Sequence, residues 1–287
     1  MTARITNVLA AIALSTAFAA PHAQAATLYA YNLTGDRLVA FDSSTPGTLI
    51  LDVAITGLST GQFLLGLDFR PANGLLYTVL SNNTNNQVAT INTTTGAVTT
   101  VGGPLAGTSN ALYYGIDFNP VVDRIRFVNQ SGLNLRLNPA DGTLAGTDAG
   151  LNPGTPRIVH VAYSNNFAGA ASTTLYGIDS NTDLLVFFLN NPNGGLIVNL
   201  GFLGVNATDA GGFDIDSNGN AWAALRIGGV SILHSINLTT GAATAIGEIG
   251  SGLTIDGLSA LPTGVPEPST LLLSALGLAS LLLRRLK

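Results

Sequence analysis

LGLDFRPANGLLYTVLSNNTNNQVATINTTTGAVTTVG, residues 65–102, reads as four short strands separated by three turns. LGLDF, LLYTVL, VATIN and AVTTVG are alternating or continuous apolar runs of strand length. Between them stand RPANG, SNNTNNQ and TTTG, whose Gly, Asn and Pro supply the backbone angles that a chain reversal requires. Two signatures of this stretch recur along the chain. The first is small, apolar, small-polar, apolar: Gly66-Leu67-Asp68-Phe69, Gly115-Ile116-Asp117-Phe118, His160-Val161-Ala162-Tyr163, Gly212-Phe213-Asp214-Ile215 and Gly257-Leu258-Ser259-Ala260, at spacings of 49, 45, 52 and 45 residues. The second is a polar turn closed by glycine: Asp42 to Gly47, Asn92 to Gly96, Asn138 to Gly142, Asn190 to Gly194 and Asn237 to Gly241. Two independent patterns with one period, and four strands in each period, predict the blades of a β-propeller.

The ends of the repeat region predict how the ring closes. Leu28-Tyr29-Ala30-Tyr31-Asn32 matches a second strand such as Leu75 to Val79, and the repeats finish on a first strand, Gly257 to Leu261. One blade is therefore built from both ends of the domain, which removes the free sheet edges of an open ring. This counting predicts five four-stranded blades over residues 26–262. The runner-up is a six-bladed ring with a degenerate blade in Asn165 to Asn181, where the spacing stretches. No segment of 26–262 has helical periodicity with caps.

Composition narrows the partners. Of the 287 residues only 9% are charged, and residues 26–262 hold seven arginines, no lysine and fifteen acids, fourteen of them aspartate. Nucleic acid is excluded as a partner on that balance, because backbone binding needs clustered cations. There is no cysteine, so disulfides, thiolate metal sites and thiol nucleophiles are all excluded. The fold must stand on packing.

Both ends of the chain read as targeting segments. Arg4, the thirteen-residue apolar run Val8 to Ala20, interrupted only by Ser15 and Thr16, and the small-x-small site Ala23-Gln24-Ala25 predict a secretory signal peptide over 1–25, with a mature chain starting at Ala26. An apolar run of that length falls short of the ~20 residues of a stable span. At the other end, Ser269 to Leu286 carries charge only at Arg284 and Arg285 and predicts a single transmembrane helix with its basic end cytoplasmic.

Val265-Pro266-Glu267-Pro268-Ser269-Thr270, the apolar run Leu271 to Leu283 and then Arg284-Arg285 together resemble the PEP-CTERM sorting signal of Gram-negative bacteria, here occupying 263–287. The resemblance implies recognition by an exosortase in the inner membrane, removal of the tail near Pro266-Glu267-Pro268, and release toward the cell surface or an exopolysaccharide matrix. The repeat itself, with GLDF or GIDF and its NxTTG turns, resembles the bacterial family described as domain of unknown function 4394. That family implies the fold and no activity.

Four features of the sequence bear on chemistry. Gly57-Leu58-Ser59-Thr60-Gly61 fits the nucleophile-elbow pattern G-x-S-x-G but has no helix after it, and is read as an interblade linker. Asp214-Ile215-Asp216-Ser217-Asn218-Gly219 opens like a calcium loop, yet its twelfth position is Leu225 where a bidentate Glu is needed, and it is read as a hairpin turn. His160 and His234 are too few, with Glu248 and no Cys or Lys, for a transition-metal centre. Asp68, Asp117 and Asp214 are the strongest candidates: on an innermost strand they approach the central channel. There they either brace neighbouring blades or form a ring of oxygens for a cation or a sugar hydroxyl. No catalytic residue, metal ligand or cofactor is assigned, and calcium is the one ion such oxygens would take.

The expectation is an exported surface or matrix propeller that binds or scaffolds without catalysis. The alternative is a secreted carbohydrate-active propeller enzyme using aspartates at the channel mouth, since glycoside hydrolysis needs only a suitably spaced carboxyl pair.

Overall fold

A computed structural model describes residues 25–108 and 111–262. The signal-peptide residue Ala23 and the sorting residues Val265, Pro266, Glu267, Pro268, Arg284 and Arg285 lie outside the described residues, and Ala25 is the exposed first residue within them. Among the described residues, helix is confined to two short 3₁₀ turns, Pro192–Gly194 and Ile249–Ser251, and no helix is long and apolar enough to cross a membrane.

The strands fall into five blades. In chain order they are β1 (Thr27–Asn32), β2 (Arg37–Asp42) and β3 (Leu49–Ala54); then β4 (Phe63–Phe69), β5 (Leu76–Ser81), β6 (Asn85–Ile91), β7 (Val98–Thr100) and β8 (Leu105–Ala106). The third blade has β9 (Tyr114–Asn119), β10 (Arg124–Asn129), β11 (Asn134–Leu137) and β12 (Leu144–Thr147). The fourth has β13 (Ile158–Tyr163), β14 (Leu175–Asp179), β15 (Leu184–Phe188) and β16 (Ile197–Phe202). The fifth has β17 (Gly211–Ile215), β18 (Ala221–Ile227), β19 (Val230–Ile236) and β20 (Ala243–Glu248), and β21 (Ile255–Ala260) follows. Every blade is an antiparallel meander, and β8 extends the second by pairing with β6.

Ring closure follows the sequence expectation. β21 lies beside β1 as the innermost strand of the first blade, in the order β21-β1-β2-β3, with Leu28 opposite Ala260 and Ala30 opposite Leu258. The count is five. The stretched interval of the fourth blade is a long loop between β13 and β14 rather than a hidden blade.

Packing follows from strand parity. Alternate side chains of a strand point to opposite sheet faces, and in a ring of blades both faces are buried. Tyr29 and Tyr31 of β1 pack toward the second blade against Leu67 and Phe69, while Leu28 and Ala30 pack toward the fifth against Trp222 and Leu233. Five such apolar clusters, one between each pair of adjacent blades, replace a single central core. The aromatic contacts repeat with the blades: Tyr29 meets Phe69 edge to face at 5.2 Å, and Tyr77 meets Phe118 in the same way at 5.1 Å.

The glycine-closed turns lock the outside of the ring. Asn92 Oδ1 accepts from the amides of Thr94 and Thr95, and Asn237 Oδ1 does the same for Thr239 and Thr240. Four of the five turns end on a left-handed glycine pressed on the preceding blade, Gly96, Gly142, Gly195 and Gly241, whereas Gly47 of the first blade is not left-handed. A Cβ on Gly96 would lie 2.2 Å from the Ala54 carbonyl oxygen, so only glycine allows that approach. In the fourth blade this position is Gly195, at φ 66°, one residue beyond the expected Gly194.

Deleting residues 255–260 would leave β1 with an open inner edge of unpaired backbone groups. We expect that variant to be recovered as dimer or aggregate by size-exclusion chromatography with light scattering. A cooperatively unfolding monomer would show that the ring does not need β21.

Candidate functional site

The five innermost strands, β4, β9, β13, β17 and β21, neighbour one another in a closed circuit. Each has one edge without a ladder partner, and buried backbone amides on such an edge must find acceptors elsewhere. The small-polar position of each repeat supplies them from the blade before. The Phe118 amide donates to Asp68 Oδ2 at 2.7 Å, the Tyr163 amide to Asp117 Oδ1 at 2.9 Å, and the Ala260 amide to Asp214 Oδ2 at 2.7 Å. Ser259 completes the circuit: its Oγ accepts from the Phe69 amide at 3.0 Å and donates to Asp68 Oδ1 at 2.7 Å.

The fourth blade has Ala162 at this position. The Ile215 amide that it would have served donates instead to Asp214 Oδ1, at 2.6 Å. The long loop after β13 brings Asn166 to the same carboxylate, with its Nδ2 3.5 Å from Asp214 Oδ1.

Glycine at the start of the repeat makes the circuit tight. A Cβ on Gly212 would stand 2.3 Å from the Leu258 amide nitrogen, and one on Gly257 would stand 3.0 Å from the Gly66 Cα. The strands leave an axial cavity of about 20 Å³, lined by Gly66, Gly115, His160, Gly212 and Gly257 among others, room for roughly one water. His160 occupies the glycine position of the fourth blade, and its Nε2 is 3.2 Å from the Thr208 carbonyl oxygen. Burial lowers its pKa to about 4, so the ring is neutral near pH 7.

The three aspartates therefore share one buried place. One oxygen from each lies within 4.8 Å of the others, and none is more than 1% exposed. Burial pushes Asp68 up to about 7, against the opposing hydrogen bonds from Ser259, Phe118 and Phe69. Asp117 and Asp214 also rise well above the ordinary value, first by burial and then by repulsion from their acidic neighbours. Asp256, at the start of β21, is raised by burial to about 7. Asp117 Oδ2 and Asn166 Oδ1 are buried with no hydrogen-bond partner among the described residues.

The other sequence candidates take structural places. Gly57 to Gly61 is a loop between β3 and β4, where the Ser59 amide donates to Gln62 Oε1. Asp216 organises the β17–β18 turn, its Oδ1 accepting from the amides of Asn218 and Asn220. His234 Nδ1 is 2.9 Å from the Ile232 carbonyl oxygen.

A second site was not singled out in the sequence. Arg124, Arg126 and Arg136, with Asn119, Tyr163 and Asn193, line a pocket of about 310 Å³ beside β10. Arg126 is 2% exposed. Its Nε donates to Tyr163 Oη at 3.2 Å, Nη1 to Asn134 Oδ1 at 2.6 Å and to Asp148 Oδ2 at 2.7 Å, and Nη2 to Asn193 Oδ1 at 2.7 Å. Arg136 binds the same Asp148, Nη2 to Oδ1 at 2.8 Å. Burial alone would raise the Asp148 pKa, but Arg136 and Arg126 outweigh it and hold the carboxyl below the ordinary value. One carboxylate thus serves two guanidiniums, and the Arg124 bonds at this site run to the Val122 and Asp123 carbonyls. The available signal was that three of the seven arginines fall between positions 124 and 136.

The raised Asp68 has a measurable consequence. In the folded chain it keeps its proton to about pH 7, and in the unfolded chain it loses it near 3.8. The stability carried by that proton is full below about pH 4 and is lost as the pH rises toward 7. His160 acts oppositely between about 4 and 6.5, so the comparison must be with Asp68→Asn, which shares every group but one. In EDTA, the unfolding free energy of the wild type relative to that variant should fall from pH 4 to pH 7 in urea titrations. A pH-independent difference would mean that Asp68 does not carry the proton.

Comparison with known proteins places the chain. No curated protein matches it. It is similar in structure to a protein of unknown function from Bacteroides thetaiotaomicron, at 14% identity and a TM-score of 0.50 over 83% of this chain and 62% of that one. A protein of unknown function from Bacteroides caccae is similar at 15% identity and a TM-score of 0.47, over 81% of this chain and 85% of that one. The chain thus spans 62% of the length of the first, and a likeness at this identity concerns the fold alone. The PEP-CTERM protein-sorting motif matches residues 264–286 and marks an exported, exosortase-processed protein. The profile described as domain of unknown function (DUF4394) matches residues 37–259, and the chain belongs to that family.

Proposed function

We propose that this protein is a non-catalytic binding propeller of the cell surface or exopolysaccharide matrix, and that its ligand is an anionic polysaccharide held in the arginine pocket. The observation that carries the reading is the local charge. A domain with eight more acids than arginines gathers three of its arginines around one pocket with a single carboxylate between two of them. Arg126 is fixed by four side chains, Tyr163, Asn134, Asp148 and Asn193, and acts as the wall. Arg124 and Arg136 are less buried; Arg136 spends Nε and Nη2 on Asp148 and Arg124 spends Nη1 on backbone carbonyls, which leaves the Nε–Nη2 edge of Arg124 as the fork that matches a sugar carboxylate in pairs. A pocket of this volume is at the lower end of small-ligand sites and takes one or two sugar units.

The carbohydrate-active alternative draws less support. Its carboxyl pair would be the axial aspartates, which are spent on interblade amides, are at most 1% exposed and do not line the axial cavity of about 20 Å³. A glycosidase pair must flank a sugar, with separations of about 5–9.5 Å and open access.

Binding of polygalacturonate, as a uronate probe, by the released protein tests the reading. Affinity should fall about tenfold in Arg124→Gln, the worth of one charge-assisted hydrogen bond, and should weaken with salt. Dextran, which is neutral, should not compete. Equal binding of the two polymers, or unchanged affinity in Arg124→Gln and Arg136→Gln, would overturn it.

Delivery has its own test. Pro266 and Pro268 flank Glu267, and proline lacks an amide hydrogen and disfavours helix in the residue before it, properties that alanine does not share. Alanine at Pro266, Glu267 and Pro268 leaves the apolar run and Arg284-Arg285 intact. In a host carrying the exosortase this variant should accumulate uncleaved in the inner membrane, by fractionation and immunoblot, while the wild type is released. Equal release would mean that the triplet is not read.

A further inference from the structure

We infer that Asp68, Asp117 and Asp214 form a binding site for one calcium-sized divalent cation on the propeller axis, with Asn166 as a fourth ligand. The inference is independent of the arginine pocket and rests on three observations.

The first is the fit of the oxygens. One carboxylate oxygen from each aspartate lies within 4.8 Å of the other two. With no two of these oxygens farther apart than 4.8 Å, a point central to the three lies at most about 2.8 Å from each. Calcium–oxygen distances are about 2.3–2.6 Å, so movements of at most a few tenths of an ångström seat the ion. Magnesium, with its strict octahedral demands and reluctance to dehydrate, suits an all-protein cluster less well. The ligands are all hard oxygens, and no sulfur or imidazole belongs to the cluster, which is the donor set of calcium rather than zinc.

The second observation is unspent acceptor capacity. Each aspartate gives oxygen to a neighbouring strand amide, yet Asp117 Oδ2 is buried and has no partner. Asn166 is 2% exposed, its amide is directed at Asp214, and its Oδ1 is likewise without a partner. The two ends of an amide are interchangeable in shape. Turned end for end, Asn166 presents that oxygen beside Asp214. As placed, neither atom has a hydrogen-bond partner, and a cation satisfies both at once.

The third observation is where the ligands come from. Ala162 leaves the fourth blade without a carboxylate on the ring, and the same blade carries the long loop that delivers Asn166. Three blades thus contribute an aspartate each and a fourth contributes an amide, so the ion ties four blades together at the one place where all the blades meet. The axial cavity of about 20 Å³ is lined by the residues that precede the aspartates and not by the aspartates themselves, so it neighbours the cluster and the ion is held among the carboxylates.

The test uses the full chain after EDTA treatment and dialysis at pH 7.5. Calorimetric titration with calcium chloride should show one site per chain, and calcium should raise the melting temperature saturably by mass action, with magnesium much weaker. Asp117→Asn retains an oxygen for the Tyr163 amide but loses charge, and should weaken calcium binding at least tenfold. Should that variant fail to fold, Asn166→Ala, a loop change, should still reduce affinity measurably. Arg124→Gln should bind calcium as the wild type does, which separates failure here from failure of the polysaccharide reading. The inference is overturned if the wild type neither binds calcium nor gains thermal stability from it, in which case the cluster is held by protons. It is overturned equally if both Asp117→Asn and Asn166→Ala bind calcium like the wild type.

Discussion

The fold depends on what meets the inner edge of each innermost strand. A strand at the axis has neighbours on one side only, so its other row of amides would be buried without acceptors. Asp68, Asp117, Asp214 and Ser259 provide those acceptors from the preceding blade, at 2.7 to 3.0 Å. Each bond joins the side chain of one repeat to the backbone of the next. The geometry needs short side chains, and it needs glycine two residues earlier so that the strands can come close enough. The recurrent G-x-D-x pattern is the sequence form of that requirement.

The rest of the structure distributes stability around the ring. With no cysteine and no central core, each interblade cluster contributes its own apolar burial, and strand parity decides which residues serve which neighbour. Locks at two radii hold the blades in place. At the axis they are carboxylate-to-amide bonds. At the rim they are the left-handed glycines of the outer turns, seated on the carbonyls of the preceding blade. Ion pairs add to these between blades: Arg70 with Asp123, and Arg157 with Asp209. Both are partly exposed, and such pairs contribute modestly.

Charge is arranged by function of place. Three aspartates meet at the axis, where burial drives their pKa values upward, with repulsion from acidic neighbours adding to it at Asp117 and Asp214. Arginines concentrate beside β10, where Asp148 neutralises only part of their charge. The axial group joins blades and the arginine group lines a pocket in a different part of the domain.

The sequence by itself determined the all-β class, the five repeats, the closing strand and the sorting motif, because each is a local or periodic property. Alternation, turn glycines, the GLDF spacing and the Pro-Glu-Pro tail are all legible one residue at a time. It also brought forward Asp68, Asp117 and Asp214, since they share a repeat position. The tertiary structure alone decided what that position does. Residues about 50 apart converge only when the ring closes, and the amide each carboxylate reaches belongs to another blade. Asn166 was illegible for the same reason: its loop read as a possible extra blade, and nothing local indicates that it folds back to Asp214. Arg126 looked like an ordinary strand residue until Tyr163, Asp148 and Asn193, which lie 22 to 67 positions away, were brought around it. Periodicity states which face a side chain takes, and only the closed ring determines which partner stands there.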